Sequence, residues 1–196
     1  SIGNAMSTVF KQYLKNIENS LKAGNATEHT HRPALKTLLE ELDESIIATN
    51  EPKRIACGAP DYIITRNDLS IGYIEAKDVG KSLHEIERGE QVKRYKRALS
   101  NLILTDYLEF RWYVDGELRQ EARLARPETS GKLKNEKGGI QAVEELLNNF
   151  LAHQTGAVNS PKDLAERMAK LTHIIRDIII TAFETEQASN LLKGWR

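Results

Sequence analysis

Between Gly58 and Lys77 an aspartate, a glutamate and a lysine stand where strand alternation can turn all three to one face. Asp61 closes Gly58-Ala59-Pro60-Asp61, and Glu75 and Lys77 close Gly72-Tyr73-Ile74-Glu75-Ala76-Lys77. Tyr62-Ile63-Ile64-Thr65 and Ile71-Gly72-Tyr73-Ile74 read as strands, with turn residues in Arg66-Asn67-Asp68-Leu69-Ser70 between them. A hairpin centred on Asp68 pairs Thr65 with Ile71, Ile63 with Tyr73 and Asp61 with Glu75. The two carboxylates then become cross-strand neighbours, their Cβ atoms roughly 4.5–5.5 Å apart. A side-chain period of two keeps Lys77 on the face of Glu75 and turns Ala76 away. An even-length loop slips the register by one residue and breaks the opposition.

Opposed carboxylates repel unless they share a proton, gain a basic partner or bind a cation. Mg²⁺, with Mn²⁺ as a substitute, suits this pair: it takes one or two carboxylates and keeps its other positions for water and phosphate. A lysine beside such an ion can orient or deprotonate the attacking water, or steady charge on the phosphate. That is the chemistry of metal-assisted phosphodiester hydrolysis. The competing reading is a solvated edge hairpin with Lys77 bridging Glu75 or Asp61, since a bare D…ExK pattern uses common residues. The Gly-x-Pro-Asp entry, the strand context and the small Ala76 favour the site.

The elements that must carry these residues are legible from periodicity. Val9, Phe10, Tyr13, Leu14, Ile17 and Leu21 have helical spacing and end at a Gly24 C-cap. A second helix holds Leu35, Leu38, Leu39, Leu42 and Ile46, with Pro33 in its first turn. After Asp78-Val79-Gly80 a helix runs to about Leu99 and puts Gln91 and Tyr95 on one face. Asn101–Thr105, Glu109–Val114 and Leu118–Leu124 read as strands, with a hairpin at Asp115-Gly116. Trp112 and Tyr113 suit either core positions or a base-stacking platform. Residues 126–139 are a polar connection, Gly139–Leu151 a helix and 155–159 a short linker. Ser160-Pro161 caps a final helix to about Gln187, with Leu164, Met168, Leu171, Ile175 and Ile178 at near-heptad spacing. That apolar face needs the core, a second copy (a dimer) or a further domain against it.

Composition suits a globular α/β domain plus an extension: 196 residues, 40% hydrophobic. No apolar run approaches the roughly 18–20 residues of a membrane span, and no signal peptide follows Met6, so a cytoplasmic protein without membrane contact is expected. Ser1–Ala5 reads as a cloning remnant ahead of Met6. The single cysteine, Cys57, excludes an internal disulfide and a cysteine-rich zinc site, and reads as a small buried residue near the site entrance. Lys+Arg and Asp+Glu number 28 each, so no global basic field argues for nucleic acid. Locally the balance shifts: Arg88, Lys93, Arg94 and Arg97 cluster just after the carboxylate strand and could contact DNA phosphates. A solvated helix face with Glu/Lys pairs is the equal alternative.

Pro60-Asp61 followed by Glu75-Ala76-Lys77 resembles the PD-(D/E)XK nuclease signature. Joined by Gly58–Tyr62, Gly72–Lys77, Gln91-Val92-Lys93-Arg94-Tyr95 and Leu104–Tyr113, it makes about residues 10–185 similar to a particular group. These are the Mrr-like nuclease domains at the N-terminus of single-chain restriction–modification enzymes, which precede an N6-adenine DNA methyltransferase and a target-recognition domain. The resemblance implies a restriction-endonuclease-like central mixed sheet, of four or five strands here, flanked by helices, with a C-terminal helical extension. It implies a nuclease core over 6–126, a linker and helix over 127–159, and a long helix over 160–196 leading to downstream domains. It further implies Mg²⁺-dependent DNA hydrolysis, with Asp61, Glu75 and the Ala76 carbonyl as metal ligands and Lys77 on the water. Gln91, in the Gln-x-x-x-Tyr pair, is placed near the lysine or water. Glu28 is placed as an acid from the first core helix reaching the metal, or else as a helix N-terminal acid favoured by the dipole. His29 and His31, lacking a third ligand, read as polar or phosphate-facing. Two alternatives stay open: a repair or junction nuclease of the same group, and a non-catalytic DNA- or partner-binding module.

Overall fold

A computed structural model describes residues 2–50, 55, 57–154 and 161–194. The chain divides into a larger compact unit, residues 1–53 and 59–155, and a smaller one, residues 54–58 and 156–196. The larger unit begins with α1 (Ile2–Lys22), which starts ahead of Met6 and is followed by Gly24 in the left-handed region at φ +80°. A 3-10 turn (Glu28–His31) leads into α2 (Arg32–Leu42), with Pro33 in the first turn where its missing N–H costs nothing. α2 stops four residues short of Ile46. Asp43 takes an extended conformation and its Oδ1 accepts the Ser45 N–H at 2.8 Å, a local turn that competes with the helix. Ile46 therefore belongs to β1 (Ile46–Asn50), a strand that helical spacing from Leu35 conceals.

β1 pairs antiparallel with β2 (Tyr62–Arg66), and β2 with β3 (Leu69–Ala76). The β2–β3 turn is the two-residue pair Asn67-Asp68, both at positive φ (51° and 62°). An even loop alone would reverse the register, but β3 carries one extra residue at Ile71: Thr65 pairs with Ser70 and Ile64 with Gly72. The bulge restores the parity, so Ile63 faces Tyr73 and Tyr62 faces Ile74 as a loop centred on Asp68 demands. Between β3 and the next strand the single helix expected up to Leu99 is broken by Gly89 into α3 (Leu83–Ile86) and α4 (Glu90–Ala98). This crossover brings β4 (Asn101–Thr105) parallel to β3, the one parallel pairing in the sheet. β5 (Glu109–Val114) and β6 (Glu117–Arg123) complete a six-stranded sheet in the order β1-β2-β3-β4-β5-β6. The polar connection after it contains a small ribbon, β7 (Ala125–Pro127) with β8 (Leu133–Asn135). The sheet is thus wider than expected by one strand.

Alternation assigns the two faces. Ile74, Ala76, Ile103 and Phe110 join Phe10, Ile17, Leu35, Leu39, Leu146 and Phe150 in the main core. α5 (Gly139–Ala152) is therefore part of this packing, and the compact unit runs past Arg126. Its approach to the sheet is close: a Cβ on Gly72 would lie 2.5 Å from the Phe150 ring. The other face of β3 and β4 carries Glu75 beside Leu104 and Tyr73 beside Leu102, with Leu102 opposite Tyr113. α4 lies on that side, its Lys96 ammonium 4.9 Å from the Tyr113 ring centroid. In the smaller unit the described residues are an Ile55–Gly58 bridge, the buried Cys57 and α6 (Pro161–Lys193). Leu164, Met168, Leu171, Ile175 and Ile178 are exposed along α6, and the helix extends beyond Gln187. The expected Ser160 cap and the 155–159 linker lie outside the described residues.

Candidate functional site

Asp61 stands one residue before β2, and continuing the register of Tyr62 with Ile74 sets it against Glu75. Both carboxylates are buried, at 9% and 5% exposure. The Asp61 oxygens are both engaged: Oδ2 accepts the Ala76 N–H at 2.8 Å and Oδ1 accepts Arg32 Nη2 at 2.6 Å. Glu75 Oε1 lies 3.3 Å from Lys77 Nζ, while Glu75 Oε2 is buried with no hydrogen-bond partner among the described residues. Lys77 Nζ donates to Gln91 Oε1 at 3.0 Å, and Gln91 Nε2 lies 3.5 Å from the Tyr95 hydroxyl. The i, i+4 spacing on α4 thus orients the amide that holds the lysine. Asp61, Glu75, Ala76, Lys77 and Gln91 come together as one cluster.

The electrostatics follow from that packing. Burial, and then the neighbouring Asp61 charge, push the Glu75 carboxyl up to about 8, with Lys77 opposing them. Near neutrality Glu75 therefore holds a proton while no cation is present. An orphaned buried carboxylate oxygen beside a second carboxylate fits a hard divalent ion, which relieves both desolvation and repulsion. No group of three or more His, Cys, Asp or Glu side chains among the described residues is placed to hold a metal. The side chains here that could hold such an ion are the two carboxylates, oxygen donors of the kind that suits Mg²⁺ better than zinc.

Among the described residues the Glu28 side chain has no hydrogen bond or ion pair to this cluster. Its carboxylate is 4.0 Å from His29 Nε2, and its main chain carries the structural role. The Glu28 N–H donates to Asp78 Oδ1 at 2.7 Å, and its carbonyl accepts the Tyr107 hydroxyl. His31 is buried and tilted against the Tyr107 ring with centroids 5.2 Å apart; burial lowers its pKa, so it is a neutral packing residue here. Arg88, Lys93, Arg94 and Arg97 are exposed in the turn before α4 and along it. Arg88 Nη2 meets His84 at 2.9 Å, Lys93 lies 3.6 Å from Glu90, and Arg94 rests over Tyr95.

Pattern reading missed Arg32 and the aromatic frame behind it. Arg32 is 9% exposed, and its carbonyl accepts the Tyr62 hydroxyl at 3.0 Å. Tyr107 is fully buried with φ +74°, a conformation costly for a bulky residue. It is held there by Thr105 Oγ1 on its N–H (2.9 Å) and by Asp106, which accepts the Leu108, Glu109 and Gly80 N–H groups. The same corner accepts the Lys77 N–H on the Thr105 carbonyl at 2.9 Å. The signal for Tyr107 was present in Thr105-Asp106-Tyr107. For Arg32 it was only a basic residue ahead of the helix-opening proline.

No protein-family model matches the chain, and a search of curated proteins found no match. Among solved structures it is similar to a chain in a cryo-EM structure of a DrdV–DNA complex, with a TM-score of 0.58 and 22% identity. The match covers 75% of this chain and 14% of that one. The likeness is one of fold: an α/β sheet of six strands flanked by helices. No helix among the described residues is long and apolar enough to cross a membrane.

Proposed function

We propose that this chain is a Mg²⁺-dependent DNA endonuclease module of a larger restriction–modification protein. The observation that carries this reading is the convergence of Asp61, Glu75 and Lys77 around the unpartnered Glu75 Oε2. Asp61, Glu75 and the Ala76 carbonyl are the residues that would hold the ion. When bound, Mg²⁺ or Mn²⁺ supplies Lewis-acid polarisation of the phosphate and a more acidic water. Lys77, an ammonium donating to Gln91 Oε1, would orient an attacking water and steady charge on the phosphate; as the water oxygen bonds to phosphorus and the sugar oxygen leaves, the water's proton passes to solvent and the sugar oxygen takes one up. Arg88, Lys93, Arg94 and Arg97 are the phosphate-positioning cations. DNA in complex with the fold's DrdV neighbour supports DNA as the partner here. A methyltransferase and a target-recognition domain are proposed for the remainder of the parent protein.

Asp61→Asn in the parent protein should abolish Mg²⁺-dependent nicking of supercoiled DNA, by about 10²-fold or more. Cleavage at the wild-type rate would sink the assignment. The chain alone should bind duplex weakly and without sequence preference. Its formal net charge is zero, and the phosphate attraction that dominates non-specific affinity is confined to one helix and its flank. Gel shifts across a salt series test this, and selection of a defined sequence by this chain would overturn it.

A further inference from the structure

We propose that Arg32 is a positioning residue that supplies the counter-charge in this site, keeping divalent-cation affinity low until a DNA phosphate arrives. The inference rests on the reading of Asp61 and Glu75 as metal carboxylates and adds a regulator to it. Arg32 Nη2 lies 2.6 Å from Asp61 Oδ1, an oxygen that a metal would need, and the second oxygen is already taken by the Ala76 N–H. The guanidinium is aimed there by its backbone. Pro33 follows it, the Tyr62 hydroxyl holds its carbonyl, and the preceding turn is pinned through Glu28 to Asp78 and Tyr107.

Fold stability does not account for such a pair. Taking a guanidinium and a carboxylate out of water costs several kcal/mol, and apolar residues of similar volume often serve as well or better. The pair makes sense as charge balance. Even with both carboxylates ionised, Arg32 and Lys77 offset Asp61 and Glu75, and the cluster does no better than sum to zero. A dication entering a neutral cluster gains little, and it must displace or crowd a cation at hydrogen-bond distance. A DNA phosphate changes both conditions: it adds negative charge, and it offers a guanidinium an alternative bidentate partner. Arg32 can then leave Asp61 Oδ1 to the metal. Metal and DNA affinities become linked, each raising the other by the same factor. A nuclease built this way is not armed by metal alone.

Mn²⁺ binding to the whole chain, read from the electron paramagnetic resonance of free Mn²⁺, tests this with and without a short phosphorothioate duplex that resists cleavage. Wild type should bind Mn²⁺ at least about fivefold tighter with the duplex present. Arg32→Gln should bind Mn²⁺ about tenfold tighter than wild type without DNA and lose most of the duplex effect. Unchanged or weaker Mn²⁺ affinity in Arg32→Gln, with Asp61→Asn abolishing binding, overturns the role of Arg32 and leaves the carboxylate site standing. Wild-type affinity in Asp61→Asn would remove the metal site itself. Should Arg32→Gln fail to fold, Arg32→Lys replaces it: the shorter point charge retreats from Asp61, and Mn²⁺ affinity should still rise. No rise there, or no duplex effect in wild type, counts equally against the proposal.

Discussion

Glu75→Gln is expected to stabilise the larger unit at alkaline pH while ending metal-dependent cleavage. Glu75 is buried at 5% exposure, with one oxygen lacking a partner and Asp61 across from it. Its pKa in the fold is about 8 against an ordinary 4.5. Between those values the folded state holds more protons than the unfolded one, so stability falls as pH rises through the window. The contribution is fully present below about 4.5 and is lost by the time pH passes 8. At about 1.4 kcal/mol per pH unit the upper bound is on the order of 5 kcal/mol. A glutamine amide that lacks partners gives back part of this, on the order of 1–3 kcal/mol. The net expectation is a melting temperature raised by about 4–8 °C at pH 8.5 and lowered by a few degrees at pH 5, where only the glutamine cost remains. Thermal melts of the two proteins at both pH values measure it. An equal shift at both would mean that Glu75 carries its charge throughout. The activity consequence is opposite in sign, because the carboxylate that is costly to ionise is the one proposed to meet the metal. Divalent-ion affinity should accordingly rise with pH up to about 8, as one proton is displaced on binding.

The cluster was legible because strand alternation is a rule of parity. Asp61, Glu75 and Lys77 needed only the correct parity across the turn, and the Ile71 bulge supplied it by a route different from the odd loop. The expected Thr65–Ile71 pair is absent, yet Ile63 still meets Tyr73. Gln91 was reachable because helical spacing carries it with Tyr95. What escaped pattern reading depends on tertiary contact or on one residue's local chemistry. Ile46 continues the helical phase of Leu42, and only the Asp43–Ser45 turn sends it into β1. Gly89 was a visible breaker, and its extended backbone splits α3 from α4. Arg32 belongs to no apolar period and no motif; its partner Asp61 is twenty-nine residues away. Glu28 shows the converse. The pattern placed its carboxylate near the metal, and what the structure adds is a main-chain role, through the bonds to Asp78 and Tyr107.

Lys77→Met should reduce cleavage by the parent protein by about 10²–10⁴-fold, the range expected for losing a positioned proton-transfer or charge-stabilising group. Methionine keeps the length and the apolar stem, so the half-buried packing of the side chain survives. What disappears is a cation 3.3 Å from Glu75 Oε1 and 3.0 Å from Gln91 Oε1. Two readings of that cation predict different outcomes for Mn²⁺. If Lys77 only neutralises Glu75, its removal leaves the metal as the sole counter-charge, and cleavage persists at higher occupancy. If it handles the attacking water, Mn²⁺ binds as well or better and turnover still collapses. Gln91→Leu separates the roles further. It leaves the amine in place but frees it to rotate, so it should cost less than Lys77→Met and leave Mn²⁺ affinity unchanged. Lys77→Arg is not expected to rescue, since a planar fork does not reproduce a compact ammonium held between Glu75 and Gln91. Measured together at saturating Mn²⁺, full activity in Lys77→Met would reduce the lysine to a structural ion with no part in positioning the water.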